Sequence, residues 1–170
     1  MTQTSEVRNK IQAELSRIEE DCTHTGKAHF NAASGWEKQN LQIGIPAVAL
    51  SAVASTAFFT NWEIAAGLMT AFVAVLTSLQ TFLKPSERAA AHKSAGDQYL
   101  GLRDDARVYR EITLALEAED HAAANGLDAF TKRRNELNLA SPQFSQKDFE
   151  KARLGIRLGE AKHVINGGKL

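Results

Sequence analysis

Small and hydroxyl-bearing side chains recur on one side of an uncharged stretch in the first half of the chain. In residues 64–83 they follow a 3-4-3-4 spacing, which places them along one side of a helix. In residues 41–60, Ser51 and Ser55 form a similar, less regular face with Gly44. Hydroxyls can solvate a passing ion without the cost of a buried charge, so these faces are candidates for lining a pore. The residues on the second segment are Gly67, Thr70, Ala74, Thr77 and Thr81.

The same faces have a second interpretation, which is close packing between helices. Small residues let helix backbones approach, and hydroxyls can bond across the contact. The other side of the second segment carries bulky residues suited to lipid, namely Leu68, Phe72, Val75, Leu79 and Phe82. Two helices enclose no channel, so a pore requires a homo-oligomer, and we expect a tetramer. Pore lining and helix packing both stay open at this point.

Familiar motifs of enzyme chemistry are absent from the sequence. It has no Gly-rich phosphate loop, HExxH, GxSxG or CxxC pattern. His24 and His29 are five residues apart and diverge around a helix, and the acidic run at 19–21 is expected to be solvated. The single cysteine, Cys22, excludes a disulfide framework and a cysteine zinc site. We therefore expect no enzyme activity, no catalytic residue, no metal and no cofactor.

Charge is balanced over the chain but is missing from its middle. Lys and Arg total 20 and Asp and Glu total 20, so no net field favours direct binding to duplex nucleic acid. Between Lys38 and Lys84 only Glu63 is ionisable. Residues 41–60 and 64–83 would each reach about 30 Å as helices, the thickness of a hydrocarbon core. A transmembrane hairpin at 41–83 is predicted, with a buried hairpin of a soluble helical bundle as the alternative.

The residues around the hairpin indicate its orientation. The loop at Asn61 and Trp62 contains no Lys or Arg, and the tryptophan suits a membrane interface. Gln80 is expected to reach the interface at the other end, and Pro46 to fall in the second turn of the first span. Basic residues flank the hairpin on both sides: Lys27, Lys38, Lys84, Arg88 and Lys93. The positive-inside rule therefore predicts a multi-pass protein with both termini cytoplasmic, and the polar N-terminus is unlike a signal peptide.

Apolar stripes predict helices before and after the hairpin, in residues 1–40 and 84–124. The first helix should begin near Thr4 or Ser5, and the second should stop at Asn125-Gly126. The stripe of the first helix comprises Val7, Ile11, Leu15, Ile18, Cys22, Thr25, His29, Ala32 and Trp36, with Gly26 and Gly35 as weak points. The later stripe comprises His92, Ala95, Tyr99, Leu102, Ala106, Tyr109, Thr113 and Leu116. Both stripes are expected to associate across subunits.

Residues 125–170 are predicted to form shorter helices. One carries Leu127, Phe130 and Leu137 and ends near Ser141-Pro142. Ser145 and Asp148 then form a capping box for a last helix, with Phe149, Ile156 and Val164 on one face, ending at Gly167-Gly168. The basic run 132–134 and the basic segment 141–170 could contact anionic headgroups or nucleotides, although such runs are usually solvated. The fold class is all-α: a membrane protein with a transmembrane helical hairpin and long cytoplasmic helices before and after it.

Together these segments resemble the SLATT family, over about residues 25 to 110. The similar stretches are Asn40-Leu41-Gln42-Ile43-Gly44-Ile45-Pro46, entering the first span, and Leu79-Gln80-Thr81-Phe82-Leu83-Lys84-Pro85, leaving the second. His29 and Trp36 precede the first span. The residues after the second span are Glu87, Arg88, His92, Lys93, Gly96, Tyr99, Leu102, Arg103 and Arg107.

The resemblance implies a pore-forming effector of the bacterial inner (plasma) membrane, linked to anti-phage defence, stress responses and nucleotide signalling. It implies a cognate regulatory enzyme, or a nucleotide or oligonucleotide signal, as the partner that controls the pore. Residues just beyond the membrane are candidates for coupling the cytoplasmic helices to a gate: Lys84, Arg88, His92, Tyr99 and Arg103. A non-conducting membrane scaffold and an enzyme acting at the membrane surface are the competing hypotheses.

Overall fold

The computed structural model describes residues 2–59, 62–117 and 119–161, with side chains from Glu6 onward, and these ranges are helical with no strand. A π-helical turn covers Tyr109–Thr113. The α-helices are α1 (Thr2–Phe59), α2 (Glu63–Leu83), α3 (Pro85–Val108), α4 (Leu114–Leu116), α5 (Asp120–Ala140) and α6 (Gln146–Arg157). The all-α prediction is thereby confirmed. Two helices, the first ending at Phe59 and the second beginning at Glu63, are long and apolar enough to cross a membrane.

The chain divides into two compact units. One, the helical bundle, comprises Met1–Ala32 and Ala91–Leu170, and the other, the hairpin unit, comprises Ala33–Ala90. Helix α1 contributes residues to both units. It begins at Thr2, two residues before the predicted start near Thr4 or Ser5.

The bundle is built on the two stripes that the sequence predicts. Ile11, Leu15 and Ile18 of α1 are buried in one core with Tyr99 and Leu102 of α3. Burial of such side chains contributes about 1.5–3 kcal/mol each. The stripes therefore pack against each other within one chain, whereas the sequence analysis assigned them to contacts between subunits. Among the other residues of the α1 stripe, Val7 is exposed and Thr25 is half-buried.

The α3 stripe changes register at the π-helical turn. A π-turn accommodates one extra residue relative to an α-helix, so every later side chain is shifted around the axis. Thr113 and Leu116, which continue the predicted stripe, are exposed, and Leu116 retains 80 % of its accessible surface. Leu114 takes the buried position instead, with 2 % exposed. The prediction of a regular stripe to residue 116 is wrong for this reason.

Helix α5 contains the residues that were expected to end the preceding helix. The break lies earlier, after Leu116, and α5 runs without interruption through Asn125 and Gly126. Gly126 faces the Tyr109 ring, and a Cβ built on it would overlap the phenol group. This glycine therefore serves close packing inside a helix and does not stop one. The predicted end near Ser141-Pro142 is confirmed.

Helix α6 starts as predicted and ends sooner. The Ser145 hydroxyl accepts from the Asp148 N–H, and the Asp148 carboxylate accepts from the Ser145 N–H, which is the expected capping box. The helix ends at Arg157 and is followed by Gly159 at φ 96°, so it does not continue to residue 167. Val164 and Gly167-Gly168 lie outside the described residues.

The hairpin unit is held together by a seam of alanines. Ala47, Ala54 and Ala57 of α1 and Ala66 of α2 are buried, and the three on α1 recur at the spacing of one helix face. Small side chains permit close approach of the two backbones. Helix α1 continues through Pro46, which lies deep inside this long helix and not near its start. The proline removes one i→i−4 hydrogen bond to the Gln42 carbonyl.

Candidate functional site

Polar side chains lie among apolar ones, such as Val48 and Phe58, in two clefts of the hairpin unit. The lower cleft, about 570 Å³, is lined by Asn40, Gly44, Ala47, Ser51, Thr77 and Gln80, among others. The upper cleft, about 700 Å³, is lined by Ser51, Ser55, Glu63, Gly67 and Thr70, among others. Ser51 lines both clefts, so the polar groups form one track along the hairpin. We call this set the polar track: Asn40, Ser51, Ser55, Glu63, Thr70, Thr77 and Gln80.

The predicted small-residue face and the packing face of α2 are different. Gly67, Thr70, Ala74, Thr77 and Thr81 are exposed, whereas Ala66 is buried and Val73 and Leu76 are half-buried. Each threonine lies beside this seam, not within it. The hydroxyls are therefore not required for contact between the two helices of one chain.

Each hydroxyl of the track is bonded to its own helix. Thr70 Oγ1 donates to the Ala66 carbonyl at 2.8 Å, Thr77 Oγ1 to that of Val73 at 3.0 Å, and Thr81 Oγ1, beside the track, to that of Thr77 at 2.9 Å. Ser51 and Ser55 do the same on α1, at 2.8 and 2.9 Å. This back-bonding is the usual way to satisfy a hydroxyl in a helix without a partner helix.

Gln80 has a partner inside the hairpin unit. Its Nε2 donates to Asn40 Oδ1 at 2.9 Å, and both side chains are half-buried. The bond links α1 to α2 at the end of the lower cleft. The amide is thus bonded within the hairpin unit, and its expected position at a membrane interface stays a prediction.

The lipid-suited side of α2 is exposed as predicted. Leu68, Phe72, Val75, Leu79 and Phe82 are all exposed, and Phe82 retains 82 % of its accessible surface. Trp62 is also exposed, as an interfacial anchor would be. An exposed apolar surface of this extent is unusual on a protein surrounded by water.

Two of the candidate coupling residues belong to the hairpin unit. Lys84 adopts the left-handed conformation, at φ 48°, and its N–H donates to the Gln80 carbonyl at 3.0 Å, which ends α2. Its side chain pairs with Glu87 at 3.1 Å. The Arg88 guanidinium lies 4.8 Å from the centre of the Trp36 ring, a cation–π distance.

The other candidate coupling residues belong to the bundle. His92 Nδ1 and His29 Nδ1 are 3.0 Å apart, both side chains are buried, and the Tyr99 ring stacks on His29. Tyr99 Oη donates to Asn138 Oδ1 at 2.7 Å. Arg103 pairs with its neighbour Asp104 at 2.8 Å.

Sequence reasoning missed the histidine pair. Each histidine was placed on an apolar stripe, but only packing of the stripes on each other brings the rings together. Burial, reinforced by His92, lowers the pKa of His29 to about 4, so the ring is neutral at pH 7. Burial similarly raises the pKa of the Cys22 thiol to about 12, so this cysteine is not a nucleophile at neutral pH.

Some charges expected to be solvated are paired. Arg110 Nε donates to Glu19 at 2.6 Å and its Nη2 donates to the same carboxylate at 3.2 Å, with both side chains mostly buried. The bidentate bond raises the pKa of Arg110. Asp21 pairs with Arg134 at 3.3 Å. Glu19 and Asp21 are therefore part of the bundle's helix contacts.

Within the described ranges, no three His, Cys, Asp or Glu side chains are grouped so that they could hold a metal ion. Comparison with protein families, with curated proteins and with solved structures finds no match to this chain.

Proposed function

We propose that the chain is a pore-forming, ion-conducting effector of a bacterial inner membrane, multi-pass with both termini in the cytoplasm. In this proposal it oligomerises, as a tetramer, and depolarises the membrane in an anti-phage or stress response. A partner enzyme or a nucleotide or oligonucleotide signal controls it, as the resemblance to the SLATT family implies. The membrane location is supported by two apolar helices whose bulky side chains are exposed.

The observation that carries the conducting role is the polar track. It lies in two clefts that also contain apolar side chains such as Val48 and Phe59, and its threonines are exposed beside the alanine seam that joins α1 to α2. One hairpin encloses no channel, but several hairpins that turn their tracks toward a common axis would surround a polar conduit. Small side chains at the same face allow the close approach that such a ring needs.

A non-conducting scaffold is the second candidate, and one observation favours it. Every described hydroxyl of the track is already bonded within its own helix, so the face can rest against another subunit or lipid without water. In a scaffold these residues would matter only through their size. A substitution that fills the track while preserving hydropathy would then leave function intact.

The experiment measures membrane potential with a voltage-sensitive dye after expression of the chain in bacterial cells. We expect depolarisation by the natural chain and its loss in Thr77→Leu, because leucine fills the lower cleft and removes a hydroxyl. Thr56→Leu is the matched control, since Thr56 is exposed on α1, outside both clefts, and bonded to its own helix at 3.2 Å. It should depolarise like the natural chain at equal membrane abundance.

Equal depolarisation by Thr77→Leu and the natural chain would contradict the pore-lining role of this face. Absence of depolarisation by the natural chain, with the protein in the membrane fraction, would favour the scaffold. Chemical cross-linking in the membrane tests the tetramer separately.

A further inference from the structure

A pocket in the helical bundle combines groups of opposite character. It has a volume of about 610 Å³, within the usual range for small-molecule sites, and lies between α1 and α6. From α1 it is lined by Glu20, Asp21, His24 and Thr25, with Asp21 also paired to Arg134, and from α6 by Phe149, Arg153, Ile156 and Arg157. We call it the α1–α6 pocket. Neither the polar track nor the histidine pair belongs to it.

The charges of the two arginines in the pocket are not balanced by an ion pair with a described residue. Arg153 and Arg157 are one helical turn apart and exposed, and neither forms an ion pair with a described residue. Like charges at this spacing repel each other and destabilise a helix slightly. A phosphate between them would remove the repulsion and accept bidentate hydrogen bonds from the guanidinium groups.

The other side chains of the pocket can bind a ligand with a planar ring whose substituents donate hydrogen bonds. Phe149 and Ile156 supply apolar surface, and aromatic side chains stack on planar rings. His24 Nδ1 is buried and has no hydrogen-bond partner among the described residues, although buried polar atoms are normally bonded. The Glu20 carboxylate, on the α1 side, can accept from amino or hydroxyl groups.

The pocket is held open by fixed contacts between its walls. Asn31 Nδ2 donates to the Asp148 carbonyl at 3.0 Å, and Lys27 pairs with Glu160. Phe144, just before α6, contacts the His29 ring edge-on at 5.0 Å between centres and stacks on Phe149. Ala152 and Gly155 are the buried residues of α6. The pocket is therefore a preformed feature of the bundle.

We propose that the α1–α6 pocket binds a nucleoside phosphate, with its phosphate on Arg153 and Arg157 and its base beside Phe149. The binding itself is independent of conductance. Only the interpretation of this binding as a signal that controls the pore rests on the proposed function. Loss of nucleotide binding and loss of conductance are therefore separate results, and either can fail while the other holds.

The test is calorimetric titration of the full chain in nanodiscs of zwitterionic lipid. The probes are the 5′-monophosphates of adenosine, guanosine, cytidine and uridine, together with adenosine and inorganic phosphate. We expect at least one nucleotide to bind ten times more tightly than either adenosine or phosphate. The double variant Arg153→Ala/Arg157→Ala should weaken that affinity at least tenfold, since a charge-assisted bond is lost at each position.

Arg133→Ala is the matched control. Arg133 is an exposed arginine of α5 outside the pocket, where it contacts Glu136 at 3.5 Å, so its loss should leave affinity unchanged. The variant Arg153→Gln/Arg157→Gln, which keeps the helix-compatible stems, is used if the alanine variant melts at a lower temperature. No binding of any nucleotide at millimolar concentration would overturn the proposal. Binding that survives in the arginine variants, or that inorganic phosphate equals, would overturn it as well.

Discussion

The two units of the molecule differ in what they bury: the bundle buries large apolar side chains together with alanines, whereas the hairpin unit buries mainly alanines. In the bundle, large residues such as Leu15 and Ile18 are fully buried and charged residues face outward or pair. In the hairpin, alanines are buried, and Phe59 and Phe82 retain 83 % and 82 % of their accessible surface. The first arrangement suits water and the second suits a medium as apolar as the side chains that meet it. The exposed fraction of a side chain therefore does not by itself indicate whether the surface faces water or lipid.

The difference between the two units is tested most directly by placing a charged side chain at an exposed apolar position in each unit. Phe72→Lys in the hairpin should cost about 3 kcal/mol of insertion free energy, because a lysine near the middle of a membrane helix loses its hydration. Leu139→Lys in α5 should change stability by less than about 0.5 kcal/mol, since Leu139 is 89 % exposed in the bundle, which the proposed function places in the cytoplasm.

Membrane fractionation measures the first effect and thermal unfolding the second. If Phe72→Lys remains in the membrane fraction at normal abundance, the outward surface of α2 does not face lipid. A matched Phe72→Leu variant controls for the loss of the ring.

Acid should loosen the bundle and spare the hairpin. The His29 pKa is about 4 in the folded bundle, lowered by burial and by His92, against an ordinary value of 6.5. Above pH 6.5 the ring is neutral folded or unfolded, and the bundle keeps its full stability. As the pH falls from 6.5 toward 4, only the unfolded chain binds the proton, so stability falls by at most about 1.4 kcal/mol per pH unit.

Amide hydrogen exchange, corrected for the intrinsic effect of pH, measures this change in each helix. Faster opening is expected in α3 between pH 7 and pH 5, with α2 unchanged. The groups that face His29 are His92, the Tyr99 ring and Phe144. The variant His29→Phe should flatten the pH dependence, and an equal slope in that variant would assign the effect to another group.

A further pair of variants tests how tightly the bundle is packed. Gly126→Ala should destabilise it by about 1–3 kcal/mol, because the new methyl group overlaps the Tyr109 phenol group and the half-buried ring has to move. Gly101→Ala on α3 should stabilise by about 0.5–1 kcal/mol, since nothing lies near that position and alanine favours a helix. Thermal unfolding of the two variants gives the sign of each change, and equal signs would contradict the close approach at Gly126.

Periodicity in the sequence predicted the helices and most of their faces. Leu15 and Tyr99 were placed on stripes that proved to be buried, and the capping box at Ser145 was located correctly. These features depend on local spacing, which the sequence displays directly. The alanine seam was missed because the hydroxylated face of α2 lies beside its packing face, which contains Ala66, Val73 and Leu76, and no charged residue marks the boundary between the two faces.

Features that depend on tertiary contacts were not predictable in this way. The π-helical turn moves the buried position from Thr113 to Leu114, and no residue type marks such a turn. Gly126 was interpreted as a stop because glycine usually ends helices, whereas the reason for it is a tyrosine 17 residues earlier. The His29–His92 contact likewise joins residues 63 positions apart.

The hydrogen bonds within the hairpin have an electrical consequence. Thr70, Thr77 and Ser51 each donate the hydroxyl proton to a carbonyl of the same helix. Because the hydroxyl protons are used in this way, only oxygen lone pairs face the clefts. The Glu63 carboxylate lines the upper cleft together with Ser51 and Thr70. A row of this kind presents partial negative charge along its length and no free proton donor from its hydroxyls. In the proposed pore, sodium or potassium would find oxygen ligands there, whereas chloride would find no hydrogen-bond donor among these hydroxyls.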